Sequence, residues 1–401
     1  MHIDLLSPSS FGNGQPHDQY RWLREHAPVY WHEEPGGPGF WAVTRFDDVR
    51  AMGRDPETFS SEPTIMISDP PPGSSLPFGD HKMMLMMDPP QHTAFRRLIS
   101  REFTQAPAAV LRPRVEALAR QIVDAVIERG ECDFVADIAG EMPSYVIAEL
   151  MGLPLEDGRK LYQLTETIHS VPEAVPEGAQ GAAVMEMFGY ARHVIAEKRA
   201  RPADDLSSKL LAAEVDGRKL DDLDFQLFFL LLVDAGGDTT RNLVAAGLLA
   251  LLEHPDEFTK LRANLDTLLP SARDELLRWV SPVIYMRRTA RRDTEIAGQK
   301  IAAGDKVVRY FGAANFDDRQ FTDPDRLDLG RSPNMHIAFG AGAHVCLGQH
   351  IARVEIDALL REVVLRMHDI ELTQPPEWLA SNFISGPKRM PVNFRRGARV
   401  G

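Results

Sequence analysis

From Asp221 to His254 the chain stays apolar for far longer than a surface helix needs, and this stretch limits the folds open to it. Leu227–Val233 and Leu243–Leu252 present carbon on every side, so a helix here has no face to offer water and must be buried. Asp221 is placed to cap its start, Asp224 sits in the first turn where the dipole favours an acid, and Pro255 after His254 helps to end it. At about 1.5 Å per residue, a helix over 221–253 would be roughly 50 Å long. Enclosing such an element takes a large, mostly helical body.

Its middle breaks the local rules. Asp234-Ala235-Gly236-Gly237-Asp238-Thr239-Thr240 puts two glycines inside a buried helix, at about 1 kcal/mol each against alanine. It also places acids beside two threonines in apolar surroundings, which is costly without partners. Violations of this kind concentrate at functional sites. The glycines would let a flat group approach the backbone, and the hydroxyls can bond back to carbonyls and widen the helix. A simple kink relieved by buried water is the competing explanation.

The rest of the chain fits a helical frame with minor sheet. Val29–His32 and Phe40–Thr44 alternate like strands around a turn-rich connection, and further strand-like pieces fall at 283–290, 294–301 and 305–310. Leu111, Val115, Leu118 and Ile122 recur at helical spacing, and similar segments cover 143–152, 156–170 and 180–200. Residues 60–81, rich in Ser, Pro and Gly, suggest a long mobile loop. Neither repeats nor a linker divide the chain, so residues 1–401 are expected to form one domain.

Charge and cysteine count exclude several functions. The net charge of −13, with no basic tail, would repel nucleic acid and anionic lipid. Two cysteines are too few for a disulfide framework and suit a reducing compartment. There is no signal-peptide pattern in Met1–Gly14 and no membrane anchor, so a cytoplasmic, monomeric protein is expected.

Cys132 reads as a small core residue. Cys346 differs, because Phe339-Gly340-Ala341-Gly342-Ala343-His344-Val345-Cys346-Leu347-Gly348 surrounds it with glycines and leads into an amphipathic helix over 349–367. Glycines permit tight turns, and free N–H groups at a helix start favour a thiolate, a soft ligand suited to iron. This decamer resembles the haem-binding loop of the cytochrome P-450 superfamily, with every fixed position filled. The segments before it agree in order. Asp234–Thr240 resembles the family's central helix, and Glu275-Leu276-Leu277-Arg278 resembles its Glu-x-x-Arg helix. Arg326 stands where a later loop supplies an arginine to that pair, with Leu327 in place of the more usual aromatic.

The resemblance implies a mainly α fold with small β-sheets enclosing haem b. It makes Cys346 the proximal iron ligand, packs Phe339 near its sulfur, and gives Gly340 and Gly348 the close turns. It implies four cations for the propionates: His92, Arg96, Arg288 (with which Arg287 could exchange) and His344. Asp238 and Thr239 would be the acid–alcohol pair that relays protons to O2. The activity implied is hydroxylation of a hydrophobic substrate, with electrons from a ferredoxin or flavodoxin and an NAD(P)H-dependent reductase. Part of the set Arg96, Arg97, Arg101, Arg112, Arg114, His350 and Arg353 would form a basic docking patch. The substrate wall is expected from Thr64–Phe78, Leu231–Ala235 and Val283–Tyr285, while Met83, Met84, Met86 and Met87 are expected to be core. The stretches 285–305 and 315–344 are similar to members that oxidise sterol side chains, methyl-branched lipids or terpenoids. Oxidative coupling or rearrangement on the same fold, or a non-catalytic haem binder or gas sensor, are the alternatives.

Overall fold

The structure, a computed structural model, describes residues 1–69, 79–169 and 175–401. Helices dominate it: α1 (His17–His26), α2 (Phe46–Arg54), α3 (Gln91–Ile99) and the long α4 (Gln105–Ile127) come first. Next are α5 (Glu141–Met151), α6 (Leu155–His169), α7 (Ala179–Ala200) and α8 (Leu206–Ala212). They are followed by α9 (Asp222–Glu253), α10 (Pro255–Ala263), α11 (Leu265–Val280), the single turn α12 (Phe311–Ala314) and α13 (Gln349–Arg366).

α9 is the expected buried helix, and its start is a full capping box. The Asp221 carboxylate accepts from the Leu223 and Asp224 N–H groups at 3.0 and 2.9 Å, while Asp224 accepts from the Asp221 N–H at 3.3 Å. The helix continues unbroken through Gly236 and Gly237 to Glu253, so the unusual middle is absorbed without interruption. Thr239 Oγ1 donates back to the Ala235 carbonyl at 3.0 Å, the bond expected of a mid-helix threonine. Around α9 pack α5, α6, α7, α11 and α13, and α13 also lies along α4. No helix among the described residues is long and apolar enough to cross a membrane.

The sheets are small and peripheral. β1 (Val29–His32) pairs antiparallel with β2 (Phe40–Val43), as expected. β3 (Phe59–Ser60), β4 (Glu131–Asp133), β5 (Glu214–Val215) and β6 (Arg218–Lys219) are short. β7 (Tyr285–Ala290), β8 (Thr294–Ile296), β9 (Gln299–Ile301) and β10 (Lys306–Tyr310) fill the strand-like region. The piece at 294–301 is a hairpin rather than one strand, because Ala297 and Gly298, both at positive φ, form its turn. β11 (His368–Leu372), β12 (Glu377–Trp378), β13 (Pro387–Arg389) and β14 (Pro391–Arg395) end the chain. The main sheet has the order β1-β2-β10-β7-β3, with β10 parallel to β2 and antiparallel to β7. Of the expected loop, Ile65 and Ile67 are buried, and the Ile65 carbonyl accepts from the Arg287 N–H at 2.9 Å. Residues 70–78 of that loop, and residue 170 of the helix expected over 156–170, lie outside the described residues.

The Glu-x-x-Arg pair is fully buried. Arg278 Nε and Nη2 donate to the two Glu275 oxygens at 2.8 Å each, and the guanidinium lies against the Trp279, Phe316 and Phe321 rings. The third member is not Arg326, which is exposed, but Arg331, whose Nε lies 3.1 and 3.0 Å from the Glu275 oxygens. The turn after Pro324 directs Arg326 to solvent, and its carbonyl instead accepts from Arg331 Nη2 at 2.9 Å. Arg331→Ala is expected to cost about 3–5 kcal/mol by leaving buried Glu275 undercompensated. Arg326→Ala should stay within about 0.5 kcal/mol. Urea unfolding of the two variants checks this.

Candidate active site

The cysteine loop is held in place by its glycines. Gly340 and Gly342 sit at φ +75° and +81°, a region that side chains avoid. A Cβ on Gly342 would collide with the Gly53 carbonyl of α2, so loop and helix meet backbone to backbone. The Cys346 N–H donates to the Phe339 carbonyl at 2.8 Å, and the Gly340 N–H to the Ile337 carbonyl at 2.8 Å. A Cβ on Gly348 would meet nothing within 4 Å, and the Phe339 ring lies 4.6 Å from the Arg353 guanidinium.

The Gly348 and Gln349 N–H groups at the start of α13 pull Cys346 towards the thiolate, as expected. Burial pushes the Cys346 thiol above its ordinary value, and this outweighs the opposing pull of the Gly348 N–H, Arg96, Arg353 and the Gln349 N–H. A coordinating metal would add to these groups, since its charge deprotonates a bound thiol outright. Cys132 behaves as expected of a core residue, since burial lifts it to about 12.

Nine of the ten expected site residues line one cavity between α9 and the cysteine loop: His92, Arg96, Thr239, Arg288, Phe339, Gly340, His344, Cys346 and Gly348. The two central glycines have different roles. A Cβ on Gly236 would meet only Ile147, at 4.0 Å, so this position opens on the cavity, whereas Gly237 faces Tyr162 and Thr165 of α6. Asp238 is the residue left off the cavity wall. It is buried, with Oδ1 3.4 Å from Arg241 Nη2. Thr240 and Glu355 of α13 line the same cavity, and Glu355 is a buried acid lifted by desolvation to about 8, with Thr240 pulling the other way. Glu355 escaped the sequence reading because, nine positions past Cys346 on an amphipathic helix, it looks like an ordinary surface acid.

The four expected cations, two arginines and two imidazoles, all line the cavity. The His92 and His344 rings lie 3.9 Å apart, centroid to centroid. Burial, then Arg96 and Arg288, lowers His92 to about 4. Burial and Arg288 push His344 lower still. Burial holds both imidazoles towards the neutral form, and Ser61 Oγ lies 3.1 Å from His344 Nε2. Arg96 donates to the Val345 carbonyl at 2.7 Å, and Arg288 is almost wholly buried. Strand alternation settles the other choice: Arg287 points away, to Asp69 at 2.6 Å.

A third arginine joins them unannounced. Arg309 on β10 lines the same cavity fully buried, and its Nε and Nη1 have no hydrogen-bond partner among the described residues. Gly53 gives it room, since a Cβ there would collide with Arg309 Nη1. Desolvation, then the charge of Arg288, drives its pKa well down. Buried cations need anions. A buried sulfur, a glycine-flattened wall and three arginines at one edge together fit an iron porphyrin with two carboxylates. In the sequence Arg309 was masked by a continuous β10 run, Lys306–Tyr310, with no spacing signal of its own.

On the α9 side Leu231, Leu232, Ala235 and Val283 line the cavity as expected. Tyr285 does not; it is buried in a separate cluster, where its hydroxyl accepts from the Ile67 N–H at 3.3 Å. Of the expected core methionines, Met83 and Met87 pack in the main cluster, while Met84 also reaches the cavity. α5, expected as a helix but not as part of the substrate wall, adds Val146, Ile147 and Leu150.

A family model, Cytochrome P450, matches residues 160–394. The chain is 39% identical over 385 residues to a methyl-branched lipid omega-hydroxylase of Mycobacterium tuberculosis, covering 93% of this chain and 89% of that protein. It is 36% identical over 405 residues to a steroid C26-monooxygenase of Mycolicibacterium smegmatis, covering 99% and 97%. A Mycobacterium marinum cytochrome P450 in complex with pseudoionone superposes with a TM-score of 0.91 at 36% identity, covering 98% and 99%.

Two outcomes are expected. Arg309→Met should speed haem transfer from the holoprotein to apomyoglobin about tenfold, the worth of one charge-assisted hydrogen bond. Glu355 is protonated in the native state between its unfolded value near 4.5 and its folded value of about 8. Its contribution is therefore complete below about 4.5 and is lost as the pH rises through about 8. Thermal unfolding from pH 5 to 9 should show a decline that is shallower in Glu355→Gln.

Proposed function

The chain belongs to the cytochrome P450 family and is a monooxygenase of hydrophobic substrates, and on that premise we propose that it hydroxylates a methyl-branched lipid, sterol side chain or terpenoid. The observation that carries this reading is the composition of the cavity wall. Met84, Leu85, Leu231, Leu232, Val283 and Met286 offer only carbon and sulfur. A ligand with many polar groups would lose its water there without replacement, and the thioethers adapt to branched shapes. The names of the relatives and the pseudoionone complex support the same class.

The cofactor is haem b. When bound, it supplies the activation of dioxygen, and thiolate ligation favours cleavage of the O–O bond. In this reading Cys346 holds the iron. Arg96, Arg288 and Arg309, with His92 and His344, would hold the propionates. Phe339, Gly340 and Gly348 shape the loop under the iron. Thr239 gives its own hydroxyl proton to Ala235, so its oxygen lone pairs are free to accept from a water in the cavity and hold that water's protons in place. Asp238 resupplies protons to that water from the far side of α9.

We assign electron delivery to a separate ferredoxin or flavodoxin with its NAD(P)H-dependent reductase, and the protein to the cytoplasm as a monomer, with residues 1–401 as one domain. Arg97 and Arg101 favour an acidic donor, being exposed and without an ion pair among the described residues. Arg112 and Arg114 are exposed but already face carboxylates. Arg353 drops out of the patch, because it packs on Phe339 and lies 3.6 Å from Asp274.

Optical titration of the ferric holoprotein is expected to give a low-spin to high-spin shift with methyl-branched fatty acids, sterols or acyclic terpenoids. A shift only with polar ligands would overturn the substrate class. With the responding ligand, Thr239→Ala should lower product formed per NADH by about tenfold or more while leaving the titration unchanged. Unchanged coupling would remove Thr239 from the mechanism.

A further inference from the structure

We propose that His81, Asp221 and Asp224 form a site for a zinc-class divalent cation, which ties the segment before the methionine-bearing cavity wall to the start of α9.

The capping box that starts α9 also builds this site. Asp221 uses Oδ1 for the Leu223 and Asp224 N–H groups, and Asp224 uses Oδ2 for the Asp221 N–H. Each carboxylate is thereby fixed by one oxygen and turns the other towards the same imidazole. His81 Nε2 lies 2.8 Å from Asp221 Oδ2 and 3.9 Å from Asp224 Oδ1. One ligand atom from each residue lies within 4.8 Å of the other two. Asp224 Oδ1 belongs to a side chain that is 3% exposed, and it accepts no hydrogen bond among the described residues. A buried carboxylate oxygen without a donor is costly, and a cation in front of it removes that cost.

The donors select the cation. One imidazole nitrogen and two carboxylate oxygens suit zinc, with a water as fourth ligand, whereas calcium and magnesium favour oxygen alone. Zinc bonds of about 2.1 Å in a tetrahedron put ligand atoms about 3.4 Å apart, which is within reach of a small turn of His81. Arg218 is the competitor on the same acids. Its Nη2 lies 2.8 Å from Asp224 Oδ2 and its Nη1 3.5 Å from Asp221 Oδ2. Two carboxylates against one guanidinium still leave negative charge at the site, and the Arg218 side chain is 54% exposed and able to turn to solvent.

Position gives the site its consequence. His81 and Asp221 are 140 residues apart in sequence. Just after His81 the turn Met84–Met86 packs on α9, and Met84 and Leu85 line the cavity. A cation held by all three residues therefore restrains that part of the wall against the helix.

The test is calorimetric titration of the chelator-washed holoprotein with zinc chloride, with hydrogen exchange over residues 81–87 read in parallel. One equivalent should bind to the wild type and slow exchange in that segment. His81→Ala leaves the capping box intact and should weaken binding by about tenfold or more, since losing a direct ligand costs no less than losing a group that orients one. Arg218→Gln should tighten binding, because the competing cation is gone; an adventitious surface site predicts no change in either variant. Wild-type protein that binds no zinc, or His81→Ala that binds it as the wild type does, would overturn the site. Calcium displacing zinc would overturn the choice of cation, and zinc binding without slower exchange would overturn the tie to the cavity wall.

Discussion

A helix buried along nearly its whole length has to find a partner inside the protein for every polar side chain it carries, and α9 imposes that condition on its neighbours. Asp238 requires Arg241, and Arg241 requires Glu166 and Tyr162, which fixes where α6 must lie. Thr240 faces the cavity together with Glu355 of α13, the helix that starts just after the cysteine and packs on α9. Thr239 satisfies its own proton on Ala235 and keeps its oxygen towards the cavity. One polar turn therefore sets the positions of the helix above the site, the helix below it and the hydroxyl between them.

Opposite α9, contact geometry replaces polar satisfaction. The cysteine loop can press on α2 only because Gly53 and Gly342 lack side chains, and the same gap lets Arg309 extend beneath the loop. β7 and β10 pair antiparallel and send Arg288 and Arg309 into the same cavity edge. Burial there disfavours charge on the imidazoles of His92 and His344 and also lowers Arg288 and Arg309, so carboxylates at this edge would relieve buried arginines and meet histidines able to hydrogen-bond.

Much of this could be read from the residues themselves. The capping acids and the proline set the limits of α9, and the glycine-flanked cysteine located the loop before α13. Readings that failed did so where a choice depended on direction in space. Arg326 and Arg331 lie in one loop, and only its fold decides which reaches buried Glu275. Arg287 and Arg288 differ by one residue, and the pleat decides which faces the cavity. Tyr285 lies next to lining residues in sequence yet turns into another cluster.

What the sequence by itself determined was local chemistry in order: a buried helix with a polar turn, a cysteine at a helix start, and strands and helices whose periodicity follows from side chains on successive residues. Only the tertiary structure decided charge state and pairing. Whether Cys346 is a thiol, whether His92 carries a proton, and whether Asp238 or Glu166 holds Arg241 all depend on burial and on groups far away along the chain. Those quantities are set by solvent exclusion and by distances of a few ångströms, and neither exists until the chain has folded.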